Sequence, residues 1–389
     1  MACNRKRKTL MGADWSDLPQ ELVISIANRI AFMEDFAAFG AVCKPWRSVA
    51  TKENFTGRLS HPFLMLPGED GAANAIRELY SFTKDKVQKV NLPEAEGKLL
   101  CYCSGWLITL EGLKFTLLHP FNRAQIKLPD FRDSDGRLSP TNMSYFHTVK
   151  KFVLSSNPSW TSDFAIMVLY DHKHLAFCKP REHKYWTSMV LEEHPLDITC
   201  YKGRFYATCY NGVSVFDIEN PKQAKTRVVV QAWLRLRRHV HGSSGTKTYM
   251  VESAGDLLVV FSYGDIYRQA PRFRVSKVLR DGKRPSKSEV KDLGNRTLFL
   301  GDNNYSFSVM ASDYGCKPNC IYFFSCIYRQ YMYPKWGDWL VRSKENINMG
   351  IFHMEDGRFE QHFGSPSFAL KEAKFPTFGT PCFWIQPSS

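Results

Sequence analysis

The sequence predicts a mainly β protein with a small α-helical module at its N-terminus. Two observations carry this prediction. Apolar residues recur every three or four positions between Trp15 and Val49, which is the period of amphipathic helices. From about residue 75 onward the chain changes to short runs of β-branched and aromatic residues, separated by turn-forming clusters. At 389 residues, the chain is long enough for one small module and one large domain.

The first predicted helix carries an apolar stripe. Its members lie four residues apart and are Leu18, Leu22, Ile26 and Ile30. Pro19 suits a first helical turn, where a missing N–H costs nothing. Asp17 is placed to cap the free N–H groups of that turn. The spacing therefore predicts an amphipathic helix with Pro19 in its first turn.

Two further short helices are predicted. The second covers about residues 34–42 and has Phe36, Phe39 and Val42 on one face. Pro45 cannot continue this helix but can begin a third one, which carries Trp46. Three short helices within about 40 residues bury too little surface to enclose a core of their own. We therefore expect this module to need a partner.

The order of these residues resembles an F-box, the module with which substrate receptors dock on the Skp-type adaptor of cullin-based ubiquitin ligases. The resemblance implies that the Leu-Pro corner and the apolar helix faces insert into the adaptor. Trp46 would be a large anchor of the kind that dominates interfaces. The residues to which the resemblance assigns adaptor binding are Leu18, Pro19, Leu22, Ile26, Ile30, Phe36, Phe39, Val42, Cys43, Trp46 and Arg47. The alternative is that these helices only pack on the rest of the chain.

The second helix departs from the F-box pattern in its small residues. Ala37-Ala38 and Gly40-Ala41 reduce its side-chain volume, and glycine weakens a helix interior. This departure predicts a reduced affinity for the adaptor.

Composition and turn clusters predict the domain boundaries. The run from Pro67 to Gly71 is a turn cluster that suits a linker. The basic run from Asn4 to Lys8 is either a nuclear import signal or a solvated terminus. The predicted segments are a disordered basic N-terminus at 1–13, the F-box at 14–56, a linker at 57–74 and a large β domain at 75–387.

The large domain is predicted to be a β-propeller. Groups of strand-like runs recur at spacings of roughly 40 to 50 residues, the size of one blade. The repeats are degenerate, and about five to seven blades fit the length. A large β-sandwich, or two sandwiched domains, is the structural alternative. The run Cys382-Phe-Trp-Ile385 is predicted to pair with an early blade and so close the ring without free strand edges.

Several segments of the large domain resemble the KIB-type β-propeller, which commonly follows an F-box in plant proteins. They include Trp106, the run from His119 to Asn122 and the stretch from Asp292 to Gly301. The resemblance covers roughly residues 75–387. It implies a substrate-recognition domain in an SCF-type ligase but no particular substrate, so no substrate-binding residue is assigned. The full expectation is an N-terminal three-helix F-box followed by a β-propeller.

The sequence offers no positive argument for catalysis, a cofactor or a metal. The pairs His172/His174 and His239/His241 could each hold a metal, but no third ligand lies near them, and exposed loop histidines explain them. No nucleophile elbow or phosphate-binding loop is present. The 11 cysteines form no Cys-x-x-Cys pair, which favours buried free thiols in a reducing compartment.

Charge and hydropathy limit the partners and the location. No apolar run approaches the roughly 20 residues of a membrane span, so an intracellular protein of the nucleus, the cytoplasm or both is expected. The net charge of +14 permits acidic partners. Basic and aromatic residues mix at 233–239 and 328–335, as in single-strand nucleic-acid grooves, but an ordinary solvated surface is favoured.

The leading hypothesis is therefore a non-catalytic substrate receptor that binds a Skp-type adaptor and, through it, a cullin, while the propeller binds a target protein. The alternatives are an F-box-containing binding protein that works outside a ligase, and a propeller that binds nucleic acid or acts as an enzyme.

Overall fold

The structure is a computed structural model, and the two parts of the chain are described separately because they form distinct compact units that meet between residues 60 and 61. The described residues are 15–30, 33–51, 53–55, 62–66, 75–81, 86–132, 149–170, 174–190, 194–209, 212–216, 218, 227–231, 247–263, 271–278, 289–301, 305–326, 347–361 and 383–386.

The N-terminal unit contains the three predicted helices. After a 3-10 helix at Trp15–Asp17, they are α1 (Gln20–Ala27), α2 (Met33–Ala41) and α3 (Lys44–Val49). Pro45 lies in the first turn of α3, as predicted. The expected cap by Asp17 is wrong, because Asp17 belongs to the preceding 3-10 helix and Pro19 occupies the N-cap of α1 without a side-chain hydrogen bond.

Aromatic side chains form the centre of the helical unit. The ring centroid of Phe36 lies 5.8 Å from that of Phe39 and 4.8 Å from that of Phe55. Gly40 allows α2 to approach the end of α3, since a Cβ atom at this position would lie only 2.8 Å from the Cβ of Ala50. The small residue that weakens α2 therefore has a packing role.

The large unit contains six sheets in the described part of the chain, each arranged as one propeller blade. The first blade contains β1 (Phe63–Leu66), β2 (Ile76–Ser81) and β3 (Lys86–Asn91), and the second contains β4 (Leu99–Cys103), β5 (Trp106–Glu111), β6 (Lys114–Leu118) and β7 (Gln125–Lys127). The third contains β8 (Val149–Leu154), β9 (Ile166–Tyr170), β10 (His174–Cys178) and β11 (Thr187–Val190). A 3-10 helix, Pro93–Ala95, joins the first two blades.

The remaining blades follow the same plan until the sixth. The fourth contains β12 (Pro195–Tyr201), β13 (Arg204–Cys209), β14 (Gly212–Phe216) and β15 (Arg227–Gln231), and the fifth contains β16 (Lys247–Ser253), β17 (Asp256–Tyr263), β18 (Arg272–Lys277) and β19 (Glu289–Val290). The sixth contains β20 (Arg296–Gly301), β21 (Phe307–Met310), β22 (Cys320–Cys326), β23 (Ile347–His353) and β24 (Phe359–Gln361). Here β20 and β22 pair in parallel, and α4 (Ala311–Tyr314) follows β21.

The last strand, β25 (Phe383–Ile385), pairs with β1 and completes the first blade, which confirms the predicted ring closure. Trp384 Nε1 donates a hydrogen bond of 2.9 Å to the carbonyl of Leu300 in the sixth blade. The backbone N–H of Gln386 donates one of 2.9 Å to Tyr102 Oη in the second blade. Ring closure therefore holds the last strand between two neighbouring blades, and the propeller prediction is confirmed over the sandwich.

The first blade begins earlier than the sequence indicated. The strand β1 lies inside the segment 57–74, which was predicted to be a linker. Its first three residues are all buried, so both faces of the strand are covered. A strand that is covered on both faces has no polar alternation in its sequence, and for that reason the periodicity did not reveal it.

Packing between blades is apolar and continuous. A cluster between the second and third blades contains Phe115, Phe152 and Trp186, with ring centroids 5.5 Å apart for the first pair and 5.9 Å apart for Phe115 and Trp186. Similar clusters join the third blade to the fourth, the fourth to the fifth, the fifth to the sixth and the sixth to the first. Each blade thus covers a sheet face of its neighbour.

Candidate functional site

The first candidate site is the surface of the helical unit. The helix α1 buries Val23 and Ala27, whereas Leu22 is 51% exposed. Pro19 is exposed, and Leu18, Ile26 and Ile30 are half-buried. The predicted apolar stripe therefore lies at the surface, while the next residues along the helix fill the interior. An apolar helix face that remains open to solvent suits a partner protein.

The residues predicted on α2 and α3 divide between the interior and the surface. Phe36 and Phe39 are buried within the unit, and Val42 is 57% exposed. Cys43 is half-buried, and the exposed Arg47 donates a hydrogen bond of 3.3 Å from Nε to the carbonyl of Gly40. The buried members of the predicted set thus pack inside the helical unit, and the exposed members lie at its surface.

Trp46 and Trp15 are connected. Trp46 is half-buried, its ring centroid lies 4.8 Å from that of Phe39, and its Nε1 donates a hydrogen bond of 3.1 Å to the carbonyl of Trp15. Trp15 is 63% exposed and was not assigned by the sequence analysis. A large exposed aromatic residue just before the Leu-Pro corner was the signal that could have identified it.

The second candidate site is a cavity of about 350 Å³ in the large unit. It is lined by Thr199, Cys200, Glu252, Ala254, Gly255, Arg296, Tyr305, Ser306, Phe307, Ser308 and Gln386. These residues lie at or near the ends of β12, β16, β21 and β25, which belong to four different blades, and at the start of β20. The cavity therefore exists only when the ring is assembled.

Polar groups converge on one wall of this cavity. Arg296 Nε donates hydrogen bonds to Ser308 Oγ at 2.9 Å and to Ser253 Oγ at 3.2 Å. Arg296 Nη2 donates one of 3.4 Å to the carbonyl of Ser308, and the two serine hydroxyls lie 2.9 Å apart. These contacts hold the guanidinium in one orientation through neutral partners, and the carboxylate of Glu252 also lines the cavity.

Aromatic residues close the inner side of the cavity. The rings of Tyr102 and Tyr305 meet edge to face, with centroids 6.3 Å apart, and Tyr102 stacks on Phe383 at 5.8 Å. Burial raises the pKa of Tyr305 to about 12 and also raises the pKa of Tyr102. Both phenols are therefore protonated near neutral pH, so Tyr305 lines the cavity as a neutral group and Tyr102 packs behind it.

Eight cysteines of the described residues are free thiols, of which Cys103, Cys178, Cys209 and Cys320 are buried as the sequence predicted, whereas Cys43, Cys101, Cys200 and Cys316 are half-buried. Burial raises the pKa of Cys200 to about 11 and that of Cys103 to about 12, so both remain protonated and poorly reactive. Within the described ranges, no group of three or more His, Cys, Asp or Glu side chains could hold a metal ion. Over the same residues, none of the helices has the length and apolar character needed to cross a bilayer.

Several sequence hypotheses concern residues outside the described ranges. They are the basic run at 4–8, His172, the pair His239 and His241, and the basic aromatic segments at 233–239 and 328–335. His174 is described, and its ring stacks on Tyr170 with a centroid distance of 5.4 Å.

The described chain thus has two parts, a small helical unit and a six-bladed β-propeller. Residues 15–57 match the F-box domain, and residues 79–353 match the KIB1-4 beta-propeller. The chain belongs to the KIB1-4 β-propeller family and carries an F-box domain at its N-terminus.

Relatives in Arabidopsis thaliana have the same extent. F-box protein At2g26160 is 26% identical, and the alignment covers 80% of this chain and 95% of the relative. F-box protein At2g17036 is 23% identical, and the alignment covers 96% of this chain and 95% of the relative. F-box protein SKIP23 is 24% identical, and the alignment covers 92% of this chain and 93% of the relative. Among solved structures, apo AztD from Citrobacter koseri aligns with a TM-score of 0.36 and 8% identity, and the alignment covers 63% of this chain and 74% of that chain.

Proposed function

We propose that this protein is the substrate-recognition subunit of an SCF-type cullin E3 ubiquitin ligase. The F-box docks on a Skp-type adaptor and, through it, on a cullin, while the propeller binds a target protein. The single observation that carries the proposal is the exposed apolar surface of the F-box, with Leu22 51% and Val42 57% exposed. An F-box with this surface is suited to bind an adaptor, and relatives in Arabidopsis thaliana are likewise F-box proteins.

The eleven proposed adaptor-binding residues have two kinds of role. The exposed and half-buried members contact the adaptor, and they are Leu18, Pro19, Leu22, Ile26, Ile30, Val42, Cys43, Trp46 and Arg47. The buried Phe36 and Phe39 lie beneath them and fix the positions of α2 and α3. Trp46 does both, since it packs on Phe39 and fixes Trp15 at the surface.

In this proposal the chain performs no chemistry of its own. Binding raises the effective concentration of target lysines near the ubiquitin-charged enzyme, so the acceleration is an effect of proximity. The assembly works inside the cell, in the nucleus, the cytoplasm or both.

The test is capture of a purified Skp-type adaptor by the full-length protein. Leu22→Asp and Val42→Asp place a carboxylate on the exposed apolar surface, where its desolvation opposes binding. We expect each to weaken adaptor capture by about tenfold or more while the melting temperature stays unchanged. Val87→Asp is the matched control, since Val87 is an exposed apolar residue of the propeller at 38%.

The outcomes separate the hypotheses. Capture of adaptor and cullin by the intact chain, lost in the F-box variants and kept in the control, supports the ligase role. Capture of the adaptor without a cullin favours a binding protein that works outside a ligase. If the intact chain captures no adaptor, the proposal is wrong.

A further inference from the structure

The cavity contains an arginine, Arg296, that has no ion-pair partner among the described residues. The hydrogen-bond acceptors of Arg296 are two serine hydroxyls and one backbone carbonyl, all of them neutral. Among the described residues, Arg296 takes part in no ion pair, whereas many surface arginines and lysines of this chain do. A fixed guanidinium that lines a cavity and lacks a counter-ion is suited to bind an anion.

A second, independent observation points to a ligand in the same cavity. The side chain of Ser306 lines the cavity and is only 5% exposed, and its hydroxyl has no hydrogen-bond partner among the described residues. A buried hydroxyl without a partner is unfavourable and rare in folded proteins. A ligand that accepts a hydrogen bond from Ser306 would satisfy it.

The carboxylate of Glu252 affects which kind of anion the cavity favours. Glu252 is exposed and also lines the cavity, where it repels a second negative charge. A phosphoryl group carries nearly two charges near neutral pH, whereas a carboxylate carries one. The combination of Arg296 and Glu252 therefore favours a carboxylate, and the net charge of +14 attracts acidic segments to the protein from a distance.

The large unit also offers an apolar anchor. Trp160, in the loop that follows β8, is 71% exposed. This loop begins beside a residue of the cavity, because the thiol of Cys200, which lines the cavity, donates a hydrogen bond of 3.7 Å to the carbonyl of Ser155. An exposed aromatic side chain next to a charged pocket is typical of a surface that binds a peptide segment.

We propose that this cavity binds a carboxylate of the target protein, with Arg296 as its charge partner and Ser306 as a second donor. The carboxylate is supplied either by an internal Asp or Glu side chain or by the C-terminus of the target. This inference rests on the proposed function, since it assigns the target-binding site of the same receptor.

The experiment measures which short peptides the immobilised full-length protein enriches. The first library contains random peptides with blocked ends, the second has free C-terminal acids and no internal Asp or Glu, and the third contains phosphoserine. We expect enrichment of Asp or Glu at one fixed position in the first library, or of the free-acid peptides in the second. The library that responds identifies the source of the carboxylate.

Variants then test the two donors. Arg296→Met removes the charge, and we expect it to abolish the preference for acids, while Arg296→Lys keeps part of it. Ser306→Ala removes a hydroxyl without an internal partner, so we expect about tenfold weaker peptide binding with no loss of melting temperature. Arg274→Met is the matched control, because Arg274 lies on β18 in a surface ion pair with Glu289 at 3.3 Å.

The proposal is wrong if no acid is enriched, if Arg296→Met leaves the preference unchanged, or if phosphoserine peptides outcompete the acidic ones. Adaptor capture is measured on the same preparations. Capture of the adaptor without any preference for acids rejects only the cavity proposal. A preference for acids that depends on Arg296, without adaptor capture, rejects only the ligase role.

Discussion

Lys151 Nζ lies 2.7 Å from Asp197 Oδ1, and the two side chains are only 3% and 8% exposed. Lys151 belongs to the third blade and Asp197 to the fourth, and each directly follows a β-bulge in its strand. The other carboxylate oxygen, Asp197 Oδ2, accepts a hydrogen bond of 2.6 Å from the backbone N–H of Met250 in the fifth blade. One carboxylate thus connects three consecutive blades, and the bulges aim the two side chains at each other.

The first prediction concerns this ion pair. Lys151→Met leaves a buried carboxylate without its counter-ion, and we expect the free energy of unfolding to fall by about 3–5 kcal/mol. The double variant Lys151→Met, Asp197→Asn removes both charges but keeps an acceptor for Met250, and we expect it to recover much of that loss. Chemical denaturation measures both. Equal losses in the single and the double variant would contradict the role assigned to the charge.

The same variant has a pH dependence with a defined sign. Burial raises the pKa of Asp197, and the positive charge of Lys151 opposes this rise. Without Lys151 the folded-state pKa rises further above the unfolded value of about 3.9, so the folded protein holds a proton that the unfolded chain has lost. As the pH rises above about 4, the stability of Lys151→Met should therefore fall more steeply than that of the unmodified protein. A difference in stability between the two proteins that does not change with pH would contradict this prediction.

The second prediction concerns ring closure by β25. Trp384 is fully buried, its ring packs edge to face on Phe299 at 4.9 Å, and its Nε1 donates to the carbonyl of Leu300. We expect Trp384→Ala to reduce the free energy of unfolding by about 3–5 kcal/mol. Trp384→Phe keeps most of the apolar volume but loses the hydrogen bond, and a smaller loss is expected. Thermal denaturation distinguishes them, and equal losses would show that the apolar contact contributes little.

The sequence predicted the parts of the fold that follow a local period. The helices α1 to α3 lie where apolar spacing and turn residues place them, since an amphipathic helix leaves a regular pattern. The closing strand was found as a short apolar run near the end of the chain, and all three of its residues are buried. The strand β1 was missed because both its faces are covered. The blade number, six in the described chain, was open because the repeats are degenerate and pairing between blades is a property of the closed ring.

The candidate sites differ in the same way. The exposed apolar surface of the F-box follows from a continuous run of residues, and a resemblance can find it. The cavity joins Cys200, Glu252, Arg296 and Gln386 from four blades, and no spacing in the sequence relates them. Serine residues such as Ser306 carry no pattern at all, and only the position of this hydroxyl in the assembled ring makes it significant.

The third prediction concerns His119 in the turn after β6. Its Nδ1 accepts a hydrogen bond of 3.2 Å from the backbone N–H of Asn122, and its ring packs edge to face on Trp106 at 5.2 Å. Burial lowers the pKa of His119 to about 4. The pKa of histidine in the unfolded chain is about 6.5, so between these two pKa values the unfolded chain binds a proton that the folded protein does not. His119 therefore lowers the free energy of unfolding as the pH falls through this range.

The test compares His119→Asn with the unmodified protein at pH values from about 7 to about 4.5, where linkage predicts the effect. Asparagine can accept the same backbone hydrogen bond but does not titrate in this range. We expect the unmodified protein to lose up to about 2–3 kcal/mol more stability than the variant over this interval. Parallel stability curves would show that another group determines the acid sensitivity.

The fourth prediction concerns the loop that carries Trp160. Asn157 Oδ1 accepts hydrogen bonds from Trp106 Nε1 at 3.1 Å and from the backbone N–H of Ser159 at 2.8 Å, and the carbonyl of Asn157 accepts one of 3.0 Å from the N–H of Trp160. The loop is therefore organised before any partner binds, which lowers the entropy cost of association. An exposed aromatic residue on such a loop is expected to contribute strongly to binding.

We expect Trp160→Ala to weaken binding of the acidic peptides selected by the cavity by about fivefold or more, with no change in melting temperature. Asn157→Ala should weaken the same binding indirectly and also lower the melting temperature, because it leaves the Trp106 N–H without its acceptor. Tyr263→Ala is the control, since Tyr263 is a partly exposed aromatic residue at the end of β17. Unchanged peptide affinity in Trp160→Ala would show that the target binds without contacting this loop, and the cavity would then have to hold the carboxylate by its polar groups alone.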